Sequence, residues 1–171
     1  PPLPPCQPMS RLDSMIRRLE AQRACLVAAI RRVERLPGPF LELGLGNGRT
    51  FDHIRKTAPQ RQVYVFERKP AAHPDCTPEP EFLIEGDFGK TLGQAPLRIR
   101  SAAALAHCDI GTGLKDFDQQ LARAISADLD ALLSVGAVIL SDQPFEWPLW
   151  KRLALPAGVD RHRYYMYSKI S

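Results

Sequence analysis

The feature that most constrains the fold is a glycine-rich stretch that follows a short apolar run. The sequence FLELGLGNGRT occupies positions 40–50. Glycine lacks Cβ, so such a turn adopts strained dihedrals and brings its backbone NH groups close to a ligand. A helix that starts there adds unpaired NH groups and the positive end of its dipole. The stretch therefore predicts a buried strand, a turn and a helix that together form a crevice for an anion or a nucleotide.

The spacing of the glycines disfavours a dinucleotide site. Such a site requires the pattern G-x-G-x-x-G, and counting from Gly44 and Gly46 the third glycine is replaced by Arg49. A nicotinamide-binding oxidoreductase is therefore the weaker alternative. The spacing present is acidic-x-G-x-G-x-G, beginning at Glu42.

A second apolar run supports a nucleoside ligand. Residues 62–66 are mostly β-branched or aromatic, which predicts a strand, and Glu67 follows directly. A carboxylate at the tip of this strand is placed to accept hydrogen bonds from both ribose hydroxyls of a nucleoside whose tail rests on the glycine turn. A purely structural turn would leave Glu42 and Glu67 unexplained.

The paired motifs resemble motif I and the next acidic position of the class I S-adenosylmethionine (SAM) dependent methyltransferases. The resemblance covers about residues 40–142 and implies that SAM is the methyl donor. It places the methionine end of SAM on the glycine turn, the ribose at Glu67, the adenine at Asp87 and Phe88, and the reacting methyl group beside Asp109, the candidate catalytic residue. The implied SAM-binding residues are Glu42, Gly44, Gly46, Asn47, Gly48, Thr50, Glu67, Arg68, Asp87, Phe88, Asp109 and Ile110.

Further apolar runs extend the same alternating pattern. Strands are predicted at residues 82–84, 101–108 and 136–142. Between the last two, apolar residues recur every three or four positions, as on a helix that packs against a sheet. Alternating strands and helices predict an α/β fold, a Rossmann-like, mostly parallel twisted sheet with helices on both faces.

Two segments depart from the family pattern. Residues 68–80 carry four prolines, which predicts a loop or short turn where a helix would usually stand. After Asp142, the family normally closes with a helix and an antiparallel strand pair. We expect a short helix within residues 145–155 and one strand at 163–169, with the other strand of the pair short or missing.

The N-terminal region differs from the rest of the chain in charge. Residues 1–36 hold seven arginines and three acidic residues and so carry the whole net charge of +4. We interpret them as a proline-rich tail and an amphipathic helical arm capped by Ser10, and residues 37–171 as the SAM-binding domain. The arginines are interpreted as a solvated face, with a phosphate-binding surface as the alternative. The apolar stripe of the arm predicts a homodimer and comprises Leu12, Met15, Ile16, Leu19, Leu26, Ile30 and Val33.

Composition sets broad bounds on the function. No apolar run approaches the roughly 18 residues of a membrane span, so we expect a cytoplasmic protein with no membrane partner. The excess charge is confined to the arm, so we do not expect a nucleic-acid partner. The cysteines lack metal-finger spacing and are predicted to be free thiols, of which Cys25 and Cys108 are expected to be buried. They are Cys6, Cys25, Cys76 and Cys108.

The acceptor is less constrained than the donor. The chain has no Asn/Asp-Pro-Pro-aromatic tetrapeptide after the fourth predicted strand, as in methylation of adenine or glutamine amino groups, and no Pro-Cys pair for attack on a pyrimidine. We expect transfer to an oxygen of a small-molecule acceptor. A non-catalytic SAM-binding module is the alternative.

Two acidic residues at neighbouring strand ends suggest a metal site. Asp109 follows the fourth predicted strand, and Asp142 with Gln143 follows the fifth, similar to the catechol-type O-methyltransferases. Oxygen ligands of this kind suit a divalent cation such as Mg²⁺. The alternative roles are a positioning residue for Asp109 and a helix cap for Asp142. His107 is predicted to share a face with Asp109 as a core residue, and His53 to be exposed.

Overall fold

The computed structural model describes residues 9–171, so the tail predicted at positions 1–5 and Cys6 lie outside the described residues. This part of the chain forms four α-helices and seven strands. In order these are α1 (Arg11–Arg32), β1 (Phe40–Leu43), α2 (Arg49–Thr57), β2 (Val63–Glu67), β3 (Leu83–Glu85), α3 (Phe88–Gln94), β4 (Ala103–Cys108), α4 (Lys115–Ala131), β5 (Leu133–Ser141), β6 (Trp150–Arg152) and β7 (Tyr165–Lys169).

The strands form one seven-stranded sheet in the order β3-β2-β1-β4-β5-β7-β6. Strands β3, β2, β1, β4 and β5 are mutually parallel, and β7 runs antiparallel to both β5 and β6. Strands β2 and β3 lie on one side of β1, and β4 and β5 lie on its other side, so the direction in which successive strands are placed reverses at β1. In parallel α/β sheets a crevice opens at such a point, beyond the carboxyl ends of the strands. The predicted Rossmann-like class is confirmed.

Helices cover both faces of the sheet, since side chains alternate along each strand. Phe40 of β1 packs into a core shared with α1 and α2, whereas Leu41 and Leu43 pack into the core shared with α3 and α4. Cys25 and Cys108 are buried free thiols in these cores, as predicted. Glu42 faces the same side as Phe40, which places a carboxylate beneath α1 and α2.

Helix α1 begins with a capping box. The Ser10 hydroxyl accepts a hydrogen bond from the Asp13 backbone NH at 3.0 Å, and the Asp13 carboxylate accepts one from the Ser10 NH at 3.2 Å. This 22-residue helix is not apolar enough to cross a membrane, and the same holds for every other helix within residues 9–171. Its C-terminal half is buried on the sheet, but apolar residues of its first half and its approach remain exposed: Met9, Leu12, Met15, Ile16 and Leu19.

The C-terminal segment differs from the prediction. Residues 145–155 contain no helix; the three-residue strand β6 lies within them and pairs with β7, as the short second strand of the expected pair. The Trp150 ring stacks edge-on against Phe145 at 5.2 Å, and its Nε1 donates to Asp130 at 2.7 Å. Prolines at 144 and 148 also remove two of the NH donors that a helix would need. Residues 68–80 form a loop with a short 3₁₀ turn at Pro74–Cys76, as the prolines predicted.

Candidate active site

The glycine turn has the strained geometry that its sequence predicts. Gly44, Gly46 and Gly48 have φ angles of 92°, 50° and 74°, a region that L side chains rarely adopt. A Cβ at Gly44 would lie 2.3 Å from the Asp109 carbonyl oxygen, and one at Gly48 would lie 2.2 Å from the Cys76 carbonyl oxygen. A Cβ at Gly46 would meet no atom within 4 Å. The middle of the turn therefore faces open space, while its two ends are packed tightly.

Glu42 lies beneath this turn and is fully buried. One carboxylate oxygen accepts a hydrogen bond from the Thr50 hydroxyl of α2, and the other lies 2.9 Å from Nδ1 of His107. Glu42 and Thr50 were both predicted to bind SAM, and these contacts show a structural role for the two side chains. Both side chains are engaged with each other, so they fix the start of α2 against the sheet.

Glu67 lies beside the turn at the end of β2. One oxygen of its carboxylate accepts hydrogen bonds from the NH groups of Leu45 at 2.8 Å and Gly46 at 3.3 Å. The other oxygen accepts from the NH of Lys69 at 3.0 Å. These bonds hold the carboxylate next to the turn, where the ribose contact is predicted.

A cavity of about 240 Å³ opens at the carboxyl ends of the strands, and we call it the crevice. It has an acidic side formed by Glu67 and Asp87 and an apolar side formed by Phe88, Ile110 and Leu121. The predicted SAM-binding residues that line it are Gly44, Glu67, Arg68, Asp87, Phe88, Asp109 and Ile110. Those that do not line it are Glu42, Gly46, Asn47, Gly48 and Thr50.

The crevice also contains residues that the sequence did not single out as site residues. Phe117 and Leu121 were interpreted only as packing residues of α4, yet both line the crevice, and Phe117 is 51% exposed. Their position just after the loop that follows β4 was the available signal. Backbone and small side chains complete the wall: Gly86, Gly89, Gly111 and Thr112.

The loop after β4 is held in place by two carboxylates. Asp142 accepts hydrogen bonds from the NH groups of Ile110 and Gly111, each at 3.0 Å. Asp118 is 2% exposed and accepts from the NH of Thr112 at 2.9 Å. Asp142 is thus a positioning residue for the loop that carries Asp109, and the proposed helix-cap role fails because no helix follows it.

Asp109 and Asp142 lie at adjacent strand ends, as predicted, but an arginine serves as their counter-ion. Arg18 of α1 places Nη2 2.8 Å from Asp109 Oδ1 and 3.9 Å from Asp142 Oδ2. The Gln143 amide nitrogen lies 3.4 Å from Asp142 and is turned to that carboxylate. Residues 9–171 contain no group of three or more His, Cys, Asp or Glu side chains arranged to hold a metal ion. The predicted site for a divalent cation such as Mg²⁺ at Asp109, Asp142 and Gln143 is therefore not supported.

The pKa of Asp142 follows from its surroundings. Burial raises the pKa of this carboxyl, and the charge of Asp109 raises it further. The loop NH groups of Ile110 and Gly111 act in the opposite direction but do not cancel the rise. Asp142 therefore binds a proton more readily than an ordinary aspartate, and Arg18 is the nearby positive charge.

A buried polar network lies under the crevice on the α1 side. His107 is fully buried between Glu42 and the hydroxyl of Tyr164, and Gln22 of α1 reaches the same hydroxyl at 3.5 Å. Burial lowers the pKa of His107, but the carboxylates of Glu42, Asp109 and Asp142 together outweigh burial, so the pKa lies above its ordinary value. His107 is therefore a core residue, as predicted, without contact to the crevice.

His53 lies on α2 and differs from the prediction of an exposed side chain. It is half-buried, and its Nε2 is buried without a hydrogen-bond partner among residues 9–171. The ring lines a second and larger cavity on the α1 side of the molecule. The helical pattern around His53 could not predict this cavity, because the other residues that line it belong to α1 and to residues 156–163.

Comparison with solved structures identifies relatives of this arrangement. An S-adenosyl-L-methionine methyltransferase from Silicibacter pomeroyi DSS-3 is 40% identical, with a TM-score of 0.88 over 95% of this chain and 99% of the other. TrmN from Thermus thermophilus is 15% identical, with a TM-score of 0.55 over 85% of this chain and 48% of the other. The latter likeness is one of fold alone. The comparison with curated proteins gave no match.

A family model agrees with the first of these structures. The model described as S-adenosyl-L-methionine methyltransferase matches residues 9–169, nearly the whole described chain. The match includes helix α1 as well as the sheet. The chain therefore belongs to the S-adenosyl-L-methionine methyltransferases, enzymes with the class I Rossmann-like fold.

Proposed function

We propose that the enzyme transfers a methyl group from SAM to an oxygen atom of a small-molecule acceptor. The observation that carries this proposal is the position of Asp109, whose carboxylate lines the crevice at the end of β4 and pairs with Arg18. Amino-group methyltransferases of the Asn/Asp-Pro-Pro-aromatic type need a different tetrapeptide at this loop, and here it reads DIGT. A carboxylate is instead suited to accept a hydrogen bond from an acceptor hydroxyl.

The residues around the crevice fit SAM. The backbone of Gly44, Gly46, Asn47 and Gly48 would hold its methionine end, because the middle of the turn faces open space. Glu67 would accept the ribose hydroxyls. Asp87 and Phe88 would contact the adenine, with Arg68 and Ile110 at its edges. SAM supplies an activated methyl group on a sulfonium, so placement of the acceptor atom provides much of the rate.

Asp109 is our candidate catalytic residue, because it is the acidic side chain at the predicted methyl-transfer end of the crevice. Its carboxylate would orient the acceptor hydroxyl and take up its proton as the new carbon–oxygen bond forms. His107 cannot serve as this base, since it is fully buried below the crevice. Arg18 would hold the carboxylate in position through its 2.8 Å contact.

A screen with labelled cofactor tests this function. The enzyme is incubated with methyl-labelled SAM and a metabolite extract, and products are separated and analysed for the labelled atom. The expected result is a labelled methyl ether or ester that forms with the native enzyme and far more slowly with Asp109→Asn. A labelled amine would refute the oxygen acceptor, and a labelled macromolecule would refute the small-molecule acceptor.

We also propose that the enzyme is a homodimer through the first half of α1. The exposed residues Leu12, Met15, Ile16 and Leu19 follow one another at helical spacing and form an apolar row. In an antiparallel pair related by a twofold axis, Leu12 of one chain meets Leu19 of the other, and Met15 meets Ile16. The row is thus complementary to a second copy of itself, as an isologous interface requires.

A further inference from the structure

The larger cavity on the α1 side is a groove of about 870 Å³, which we call the α1 groove. Its volume lies within the roughly 300 to 1,000 Å³ of ligand sites. One wall is α1, the opposite wall is the loop of residues 156–163, and His53 of α2 lies between them. Along α1 the small side chains of Ala21, Ala24 and Ala28 leave room for the groove. The groove shares no lining residue with the crevice.

Positive charge dominates the α1 groove. Its lining includes the four arginines Arg17, Arg23, Arg31 and Arg163 against the two acids Glu20 and Asp160. None of these four arginines forms a salt bridge with another residue in the range 9–171. Guanidinium groups elsewhere in the molecule are engaged, for example Arg61 with the carbonyl of Gly38 at 2.8 Å. Apart from the bond of Arg163 to the Ser14 hydroxyl, the groove therefore presents arginine donors that form no ion pair within residues 9–171.

His53 adds a second, independent observation. Its Nε2 is buried without a partner among the described residues, and the residue lines the arginine-rich groove. A buried polar atom left without a hydrogen bond costs free energy, so such atoms normally find a partner. A turn of the ring toward the groove would let Nε2 donate to an acceptor oxygen there.

We propose that the α1 groove binds an oxyanion group, phosphate or carboxylate, of the methyl acceptor. Arginine forks match the oxygen pairs of both groups, and a neighbouring imidazole NH completes such a site. The acceptor class follows: a small molecule that carries an anionic group at one end and the methylated atom at the other. This inference rests on the proposed function for the identity of the ligand, but the anion site itself does not.

The position of the groove fits an acceptor that extends toward the crevice. Arg17 lines the groove, and the next residue, Arg18, contacts Asp109. Arg163, on the opposite wall, donates to the Ser14 hydroxyl of α1 at 3.1 Å. With a rise of about 1.5 Å per residue, the near end of the groove lies within one helical turn of Arg18. The same helix thus supplies both the anion donors and the counter-ion of Asp109.

Anion binding is tested on the intact chain without SAM. Pyrophosphate and succinate are titrated separately at constant ionic strength while the NMR signals of the His53 ring and the arginine side chains are followed. We expect saturable shifts of His53 with at least one of the two anions, and the tighter anion distinguishes phosphate from carboxylate. Shifts that do not saturate with either anion, or that leave His53 unchanged, overturn the proposal.

Variants separate a built site from general charge attraction. Arg17→Gln should weaken the tighter anion by about tenfold, the loss expected for one charge-assisted hydrogen bond. Arg100→Gln is the matched control, because Arg100 is exposed and lies outside the groove. Equal weakening by both variants overturns the proposal. SAM affinity, measured separately, should not change in Arg17→Gln, so loss of SAM binding and loss of anion binding are distinct results.

Discussion

The guanidinium of Arg18 donates a hydrogen bond to the carboxylate of Asp109 at 2.8 Å and so joins the N-terminal helix to the end of β4. This contact spans 91 positions of sequence. It places a positive charge where the sequence suggested a metal ion. The arm is thus part of the candidate active site, not merely a helix attached to the sheet.

Arg18→Gln should destabilise the fold in a pH-dependent manner. Without the guanidinium, repulsion between Asp109 and Asp142 is uncompensated, at a cost of about 1 kcal/mol near pH 7 because the pair is partly exposed. The pKa of Asp142 is already raised by burial, so the folded state binds its proton more tightly and gains stability as the pH falls through that pKa. The loss of unfolding free energy caused by Arg18→Gln should therefore be smaller at pH 4 than at pH 7.

Urea unfolding at pH 7.5 and pH 4 measures this difference. Arg32→Gln is the control, since Arg32 is exposed at the other end of α1 and should have little effect at either pH. An equal loss of stability in Arg18→Gln at both pH values would contradict an electrostatic role.

Glu67→Ala should lower the affinity for SAM at least tenfold. The substitution removes two predicted charge-assisted hydrogen bonds to the ribose, each worth about 1.5 to 3 kcal/mol before water compensates. The control is Glu85→Ala, because Glu85 lies beside Glu67 in the sheet register but outside the crevice. Calorimetric titration measures both variants. Unchanged affinity in a folded Glu67→Ala protein would remove the ribose assignment.

Glu42→Gln should cost more stability at low pH than at high pH. The Glu42 carboxylate raises the pKa of His107 despite burial, and a raised histidine pKa contributes stability that is full below about 6.5 and lost as the pH rises through the folded-state value. Breaking a buried ion pair costs about 3 to 5 kcal/mol, so a loss of that order is expected near pH 6.

NMR titration of the His107 ring and urea unfolding between pH 6 and pH 9 check this prediction. The midpoint for His107 should lie above the ordinary value in the native protein and fall in Glu42→Gln. Glu34→Gln removes an exposed charge and serves as control. If the loss of stability in Glu42→Gln grew as the pH rose, His107 would have to be neutral in its contact with Glu42, and the prediction would be contradicted.

Local patterns were sufficient to predict most of the sheet and seven of the residues that line the crevice. Each strand from β1 to β5 carries its own apolar run, and the glycine turn and Glu67 have a fixed spacing that follows from the shape of one ligand. The strand β6 was missed because its stability comes from Trp150, which packs on Phe145 and Tyr167. Those contacts depend on tertiary structure. In addition, a strand of three residues is too short to give a recognisable sequence pattern.

Long-range polar contacts could not be predicted in the same way. Arg18 is one of seven arginines in residues 1–36, and nothing in its local sequence distinguishes the one that reaches Asp109. Glu42 was assigned to the ligand because its position in the motif is adjacent to the turn. Its contact with His107 could not be predicted, because that contact depends on strand alternation and on the pairing of β1 with β4. The metal hypothesis lacks support for a similar reason, since the counter-ion comes from a distant helix.

Leu12→Glu should convert the proposed dimer to a monomer. In the antiparallel arrangement, this substitution places a carboxylate against the partner's Leu19, and burial of an unpaired charge there opposes association. Leu12 is 68% exposed in the single chain, so the fold itself should be little affected. Leu97→Glu is the matched control, because Leu97 is 79% exposed and lies outside α1. Light scattering at micromolar concentration should give a dimer mass for the native protein and for Leu97→Glu, and a monomer mass for Leu12→Glu. A native protein that is already monomeric would refute the dimer, and a dimer that survives in Leu12→Glu would move the interface away from α1.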